Sequence, residues 1–368
     1  MTVRVSGKVV TPNGVIRQGC VEVAGDRINA VAEYPSVRDG HWIVPGFVDI
    51  HTHGGGGHTF TTGDVDAARG AAAFHLAHGT TTLLASLVSS SHELMRAATA
   101  AFAPLVREGV LAGVHYEGPY LSTVRCGAQN PEFLRDPSAD ELTELIELSG
   151  GTLRMVTLAP ERDGALEAVK LLVSHGIVAA VGHTDATYEQ TLAAVAAGAC
   201  VGTHLFNGMR QPHHREPGPV FALLGAPNVF CELVADGVHL HDGTLAFAAQ
   251  TAGPDRAVLI TDAMAAAGMA DGEYELGGQS VTVADRVARL TRDGSIAGST
   301  LTMDAALRQA VGAGVSMVDA VRMAATTPAR AIGVDDRVGA LVPGRRADLV
   351  VLDDELRVVR VMRAGAWI

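Results

Sequence analysis

His51, His53, Glu117, His183, His204 and Asp262 are the residues of this sequence whose types and spacing suit chemistry best, because each lies at the end of a short apolar run. Residues i and i+2 of an extended segment project to the same face, so the pair in His51-Thr52-His53 can share one ion. Neutral imidazoles together with a carboxylate suit Zn²⁺ or another divalent transition metal (Fe, Co or Mn) better than Mg²⁺ or Ca²⁺, which favour all-oxygen shells. Such an ion lowers the pKa of a bound water to about 7 and polarises a carbonyl, the two tasks of amide hydrolysis. Asp262 is then the natural proton carrier; its other reading is an N-cap for the Ala-rich segment that follows.

The elements that must position these side chains can be read from the same runs. Eight apolar segments are expected to be strands: 47–51, 82–88, 111–117, 153–158, 177–183, 200–206, 229–234 and 257–262. Helical patterns at 64–78, 92–107, 139–148, 164–175, 187–197 and 240–251 fall between them, and Gly79, Gly109, Gly176 and Gly198 follow four of these. Alternating strands and helices predict a (β/α)₈ TIM barrel, in which the C-terminal strand ends carry the active site. Alternation at both chain ends predicts a small β-sandwich domain built from residues 1–43 and 336–368, around a barrel of 44–335. An inserted hairpin is expected within 271–296, with closing helices at 303–313 and 317–325.

Composition narrows the function. The 368 residues carry 28 Lys+Arg against 40 Asp+Glu, net charge -12, which argues against nucleic acid as a partner. An anionic substrate must be caught by a few local donors. No run approaches the ~20 apolar residues of a membrane span. Cys20, Cys126, Cys200 and Cys231 are far apart and form no metal or disulfide pattern, so a cytoplasmic location is expected.

The run Val44-Pro-Gly-Phe-Val-Asp-Ile-His-Thr-His53 resembles the amidohydrolase superfamily, and further segments resemble its N-acetylglucosamine-6-phosphate deacetylase family. These are His115-Tyr-Glu-Gly-Pro-Tyr-Leu121, Thr157-Leu-Ala-Pro-Glu161, Val181-Gly-His-Thr-Asp-Ala186, Thr203-His-Leu-Phe-Asn-Gly-Met-Arg210, Arg215-Glu-Pro-Gly218, Ala235-Asp-Gly-Val-His239, Leu259-Ile-Thr-Asp-Ala-Met264 and Gly298-Ser-Thr-Leu-Thr-Met-Asp304. The resemblance implies that Glu117, His183 and His204 hold a principal metal and that His51 and His53 serve a second, giving one or two ions per subunit. Many amidohydrolases bridge two metals with a carboxylated lysine, but the only lysines here are Lys8 and Lys170, neither at a strand end. Glu117 must serve that position.

The same resemblance implies that Asn207, Gly208 and Arg215 bind phosphate, with Arg215 reaching the active site of a neighbouring subunit in a homodimer. It implies that His239 contacts sugar and acetamide, and that Met303 forms an apolar floor. Relatives often have a histidine where this chain reads Cys126-Gly-Ala-Gln129, and Gln129 offers an equivalent sugar-hydroxyl contact. The implied activity is deacetylation of N-acetylglucosamine 6-phosphate in amino-sugar catabolism or cell-wall recycling. The competing readings are a D-aminoacylase-like or cyclic-amidase-like hydrolase, which Asn207, Gly208 and Arg215 oppose, and a catalytically dead oligomeric barrel.

Overall fold

The computed structural model describes residues 2–35 and 40–368. Eight parallel strands form one sheet: β1 (Phe47–Asp49), β2 (Thr80–Leu87), β3 (Gly113–Glu117), β4 (Leu153–Leu158), β5 (Val178–Val181), β6 (Val201–Gly202), β7 (Phe230–Val234) and β8 (Ala257–Ile260). Every strand pairs with its sequence neighbours in order. β8 meets β1 through the Asp262 N–H, which donates to the His51 carbonyl at 2.9 Å. The buried Asp49 carboxylate reinforces this seam by accepting from the backbone N–H groups of His51 (3.2 Å) and Thr261 (3.3 Å). Burial raises the Asp49 pKa to about 7 despite these donors.

The strands are continuous apolar runs because helices cover their outer face. These helices are α1 (Val65–Ala77), α2 (His92–Arg107), α3 (Ala139–Ser149), α4 (Ala165–Ser174), α5 (Tyr188–Ala197), α6 (Gly218–Gly225), α7 (Asp242–Ala252) and α8 (Met303–Gly312). Side-chain caps begin most of them, including Asp64 on α1, Ser91 on α2, Ser138 on α3 and a Thr187–Gln190 capping box on α5. Several expected strands are shorter than their apolar runs, because the last residues bend out of the ladder to form the site. β6 retains only two paired residues.

The two chain ends build one seven-stranded sheet, in the order 366–367, 358–363, 349–352, 42–45, 2–11, 14–24, 27–33. The edge strand 27–33 meets the segment leading into strand 349–352, where Arg27 bridges to Arg346 and the Ile28 N–H donates to the Arg345 carbonyl at 2.9 Å. The sheet thereby wraps a separate apolar core of Val5, Val21, Ile28, Ile43, Leu349 and Met362. The insertion expected as a hairpin has a third strand: 272–276, 279–284 and 287–290 pair in sequence. After the helix Met317–Val321 the chain widens to a π-helical turn at Arg322–Thr326 and resumes at Thr327–Ala331, so the second closing helix is interrupted.

Asp304, in the first turn of α8, ties this helix to its surroundings. Arg308 Nη1 donates to Oδ2 at 2.7 Å and His78 Nδ1 lies 3.3 Å from Oδ1. Burial would raise its pKa, but His78, Thr302 and Arg308 bring it down to about 2. A depressed carboxylate stabilises the fold above its unfolded pKa and ceases to do so as pH falls through the folded value. Asp304→Asn is therefore expected to cost about 2 kcal/mol at neutral pH. In urea unfolding the gap between wild type and variant should narrow as pH drops from 3.8 toward 2. A gap independent of pH would contradict this assignment.

Candidate active site

The C-terminal strand ends bring His51 and His53 (after β1), Glu117 (end of β3), His183 (after β5), His204 (after β6) and Asp262 (after β8) into one buried cluster. Two groups of three ligand atoms lie within 4.8 Å of one another: Glu117 with His183 and His204, and His51 with His53 and Asp262. Three of these residues leave their strands in left-handed backbone, with φ of 44° at His183, 25° at His204 and 49° at Asp262. Non-glycine residues adopt this region at a cost, and the barrel holds them there to aim the side chains inward.

The imidazole tautomers test whether this donor set fits a cation. His183 Nδ1 faces the Arg125 carbonyl at 2.9 Å, His204 Nδ1 the Asn207 carbonyl at 3.1 Å, and His53 Nδ1 the Ser86 carbonyl at 3.1 Å. His51 Nδ1 faces Glu232 Oε2 at 3.0 Å. These partners only accept, so each Nδ1 carries hydrogen and each neutral ring offers a lone pair at Nε2. The Nε2 atoms of His183 and His204 are 3.1 Å apart, and they lie 3.1 and 2.9 Å from Glu117 Oε1. The Nε2 atoms of His51 and His53 are 3.2 Å apart, and His53 Nε2 is 3.2 Å from both Asp262 Oδ1 and Glu117 Oε2. Lone pairs crowded in this way are satisfied by positive charge between them, carried by protons or by an ion, and the nitrogen and oxygen set suits a divalent transition ion. Glu117 reaches both groups, the geometry required of a bridge in place of a carboxylated lysine.

The electrostatics point the same way. Burial opposes charge on His51 and His53, yet neighbouring carboxylates hold His51 well above the ordinary imidazole range and bring His53 to about 9. Burial would raise both carboxylates, but the surrounding histidines hold Glu117 well below its usual range and Asp262 at about 2. The cluster is built around compensated charge, with metal and protons competing for the same lone pairs.

A cavity of about 280 Å³ opens above the cluster. Its wall includes His53, Glu117, Gln129, His183, His204, Asn207, Gly208, His239 and Asp262, together with Leu276, Ser295, Ile296 and Gly298 from the inserted sheet and the segment after it. His239 Nδ1 donates to Asp236 Oδ2 at 2.7 Å, leaving Nε2 4.0 Å from Asp262 Oδ2. Burial lowers the His239 pKa, but the Asp236 hydrogen bond and charge outweigh it and raise the net value. Gly208 adopts φ of 61°, and a Cβ there would stand 2.8 Å from His183 Nδ1, so glycine lets this loop close over the His183 ring.

Other expected site residues sit differently. Gln129 lines the cavity, but its amide is used within the protein: Nε2 donates to Glu117 Oε2 at 2.6 Å and Oε1 accepts from the Ser89 N–H at 2.7 Å. It orients the Glu117 carboxylate. Met303 is fully buried at the start of α8 and is absent from the cavity wall. Arg215 lies on an exposed loop beside His214, outside its own chain's cavity. The Cys126 thiol is likewise outside it, and all four cysteines are unpaired. His115 sits beneath His51, its nitrogens engaged by Ser86 Oγ and Thr157 Oγ1 at 2.9 Å each.

Two carboxylates escaped the sequence analysis. Glu232, fully buried in β7, fixes His51 and also accepts from the His204 N–H at 3.2 Å. Asp236 fixes His239. The available signals were a lone charge inside Phe230-Cys-Glu-Leu-Val234 and the i,i+3 spacing of Asp236 and His239.

Fold and site together define a metal-dependent hydrolase barrel, and the chain belongs to the amidohydrolase family, whose model matches residues 42–368. Among solved structures it is 47% identical, with a TM-score of 0.96, to an aspartate-to-alanine variant of N-acetyl-D-glucosamine-6-phosphate deacetylase from Mycobacterium smegmatis in complex with N-acetyl-D-glucosamine-6-phosphate, covering 100% of this chain and 99% of that one. It is 38% identical to N-acetylgalactosamine-6-phosphate deacetylase of Escherichia coli O157:H7, over 97% of each chain. It is 34% identical to N-acetylglucosamine-6-phosphate deacetylase of Lysinibacillus sphaericus, over 99% of this chain and 95% of the relative. No helix of the described residues is long and apolar enough to cross a membrane.

Proposed function

We propose that this chain hydrolyses the acetamide of N-acetyl-D-glucosamine 6-phosphate, releasing acetate and D-glucosamine 6-phosphate. The observation that carries this reading is the cavity that joins the Glu117, His183 and His204 group to Asp262 and His239 on one side and to the Asn207-Gly208 loop on the other. A divalent ion, Zn²⁺ in our reading, would be held by Glu117, His183 and His204, with a second at His51 and His53, and would supply Lewis acidity toward the amide carbonyl and toward water.

Asp262 is ionised at neutral pH and poised to accept the proton of the attacking water. It then returns that proton to the amide nitrogen as the C–N bond breaks, so the sugar leaves as a neutral amine. His239, biased toward its cationic form by Asp236, directs Nε2 into the cavity, where it stabilises charge developing on the carbonyl oxygen. Gln129 and Glu232 keep Glu117 and His51 in register without meeting substrate. The terminal sheet, residues 1–43 and 336–368, acts as a structural domain beside the catalytic barrel of 44–335. The four unpaired cysteines support a cytoplasmic setting.

Arg215 supplies the phosphate contact of a second copy in a homodimer, a reading supported by its exposed loop and its absence from the wall of its own chain's cavity. A buried guanidinium–phosphate contact contributes ~1.5–3 kcal/mol, so Arg215→Ala should weaken the phosphorylated substrate about tenfold or more and leave the unphosphorylated sugar nearly unaffected. Mixing Arg215→Ala subunits with Asp262→Asn subunits should restore activity, since one site of each mixed dimer would hold both intact residues. Mixed dimers without recovered activity would place the arginine within its own subunit.

A further inference from the structure

A second cavity, of about 340 Å³, lies at the opposite end of the barrel, where the first residues of β2 and β4 meet the terminal sheet and the segment after residue 331. Arg27, Arg154, Arg337, Arg346 and Arg363 all line it, and among the described residues no carboxylate does. In a chain of net charge -12 this is a concentrated island of positive charge. The nearby acids compensate it poorly. Arg346 pairs with the buried Asp348, but Asp26 and Asp336, the partners of Arg27 and Arg337 at 3.7 and 3.6 Å, are 63% and 77% exposed and therefore screened.

Part of this cluster is structural. Arg346 Nη2 donates to Thr82 Oγ1 at 3.0 Å and Arg363 Nη2 to the carbonyls of Gly109 and Val110, so two arginines pin the sheet to the barrel, while Arg27 Nη1 donates to the Gly344 carbonyl at 3.1 Å and joins the two terminal segments. Neutral donors would satisfy the same carbonyls without crowding charge, and the crowding is felt: burial and the Arg346 charge lower the Arg363 pKa. Arg154 has no such task. Its Nε is buried without a partner, and among the described residues its side chain enters no ion pair.

We propose that this cavity is an anion site for a diphosphate group, inorganic or carried on a nucleoside. Five guanidiniums against one buried carboxylate leave four positive charges, more than a single phosphate matches. Guanidinium forks bind adjacent phosphate oxygens in pairs, which suits two linked phosphates over a compact monoanion. The site lies across the barrel from the metal ligands, so its ligand would bind at the same time as substrate.

The test is calorimetric titration of the whole protein at constant ionic strength, with glucosamine 6-phosphate saturating the catalytic cavity and pyrophosphate, ADP, AMP and inorganic phosphate as separate probes. Pyrophosphate or ADP should bind one equivalent per chain, at least about tenfold tighter than AMP or phosphate, and whichever of the two binds tighter identifies the source. Arg154→Met combined with Arg337→Met should weaken that binding at least about tenfold and leave kcat/KM unchanged, because neither side chain donates a hydrogen bond that holds sheet to barrel. Arg337→Met alone, at a largely exposed position, provides a variant whose folding is not in question. Equal binding by wild type and both variants, or none by wild type at millimolar probe, would overturn the proposal.

Discussion

Asp262→Asn is expected to leave a folded protein that still holds its principal ion and to lower kcat by about 10²–10⁴, the usual worth of a positioned acid–base group. Asparagine is nearly isosteric and tolerates left-handed backbone, so the φ of 49° at this residue survives the change. The group proposed to hold the principal ion, Glu117 with His183 and His204, does not include it, whereas a second ion beside His51 and His53 would lose one oxygen. KM should move little, because the amide of asparagine fills the same space but cannot carry the proton from water to the leaving nitrogen. Parallel measurement of metal content and turnover checks the result. Near-normal turnover at unchanged metal content would remove Asp262 from the mechanism.

His183→Ala and His204→Ala should each abolish tight binding of the principal ion and, with it, activity. Each removes one of three atoms that converge within about 3.1 Å, and the remaining pair cannot enclose a divalent ion. Replacing His51 and His53 together should remove at most the second ion. Glu232→Gln should act on that second ion from behind His51, weakening it about 10- to 100-fold, the usual consequence of disturbing a carboxylate that orients a ligand histidine. Elemental analysis after dialysis, with competitive titration for the affinities, separates these classes. Equal loss from both sets of histidines would mean that the two groups form one site.

The strand-end residues were legible because a parallel barrel writes its strands as apolar runs, and His51, His53, Glu117, His183, His204 and Asp262 interrupt them at the functional end. Gly79, Gly109, Gly176 and Gly198 marked helix ends for a similar reason: all four adopt positive φ. The supporting layer was not legible. Glu232 lies inside an apolar run, and only the three-dimensional closeness of β7 to β1 and β6 explains a charge there. Helix α6 was missed because Pro219-Val-Phe-Ala-Leu-Leu224 is apolar on all sides and offers no 3.6-residue period. Gln129 and Met303 illustrate the limit of resemblance: a residue's position in a motif gives its neighbourhood, and the hydrogen bonds of Gln129 to Glu117 and Ser89, or the burial of Met303 in the first turn of α8, decide what it does there.

The site's expected activity is metal-dependent release of acetate from a phosphorylated N-acetyl amino sugar. It is tested most directly by incubating the purified protein with N-acetylglucosamine 6-phosphate, its C4 epimer N-acetylgalactosamine 6-phosphate and unphosphorylated N-acetylglucosamine, and following free amine before chelation, after it and after return of Zn²⁺. The expected result is rapid release from N-acetylglucosamine 6-phosphate, slower release from the epimer and little from the unphosphorylated sugar, all lost on chelation and restored by the ion. Equal release from phosphorylated and unphosphorylated sugars, or release that survives complete removal of metal, would contradict the account.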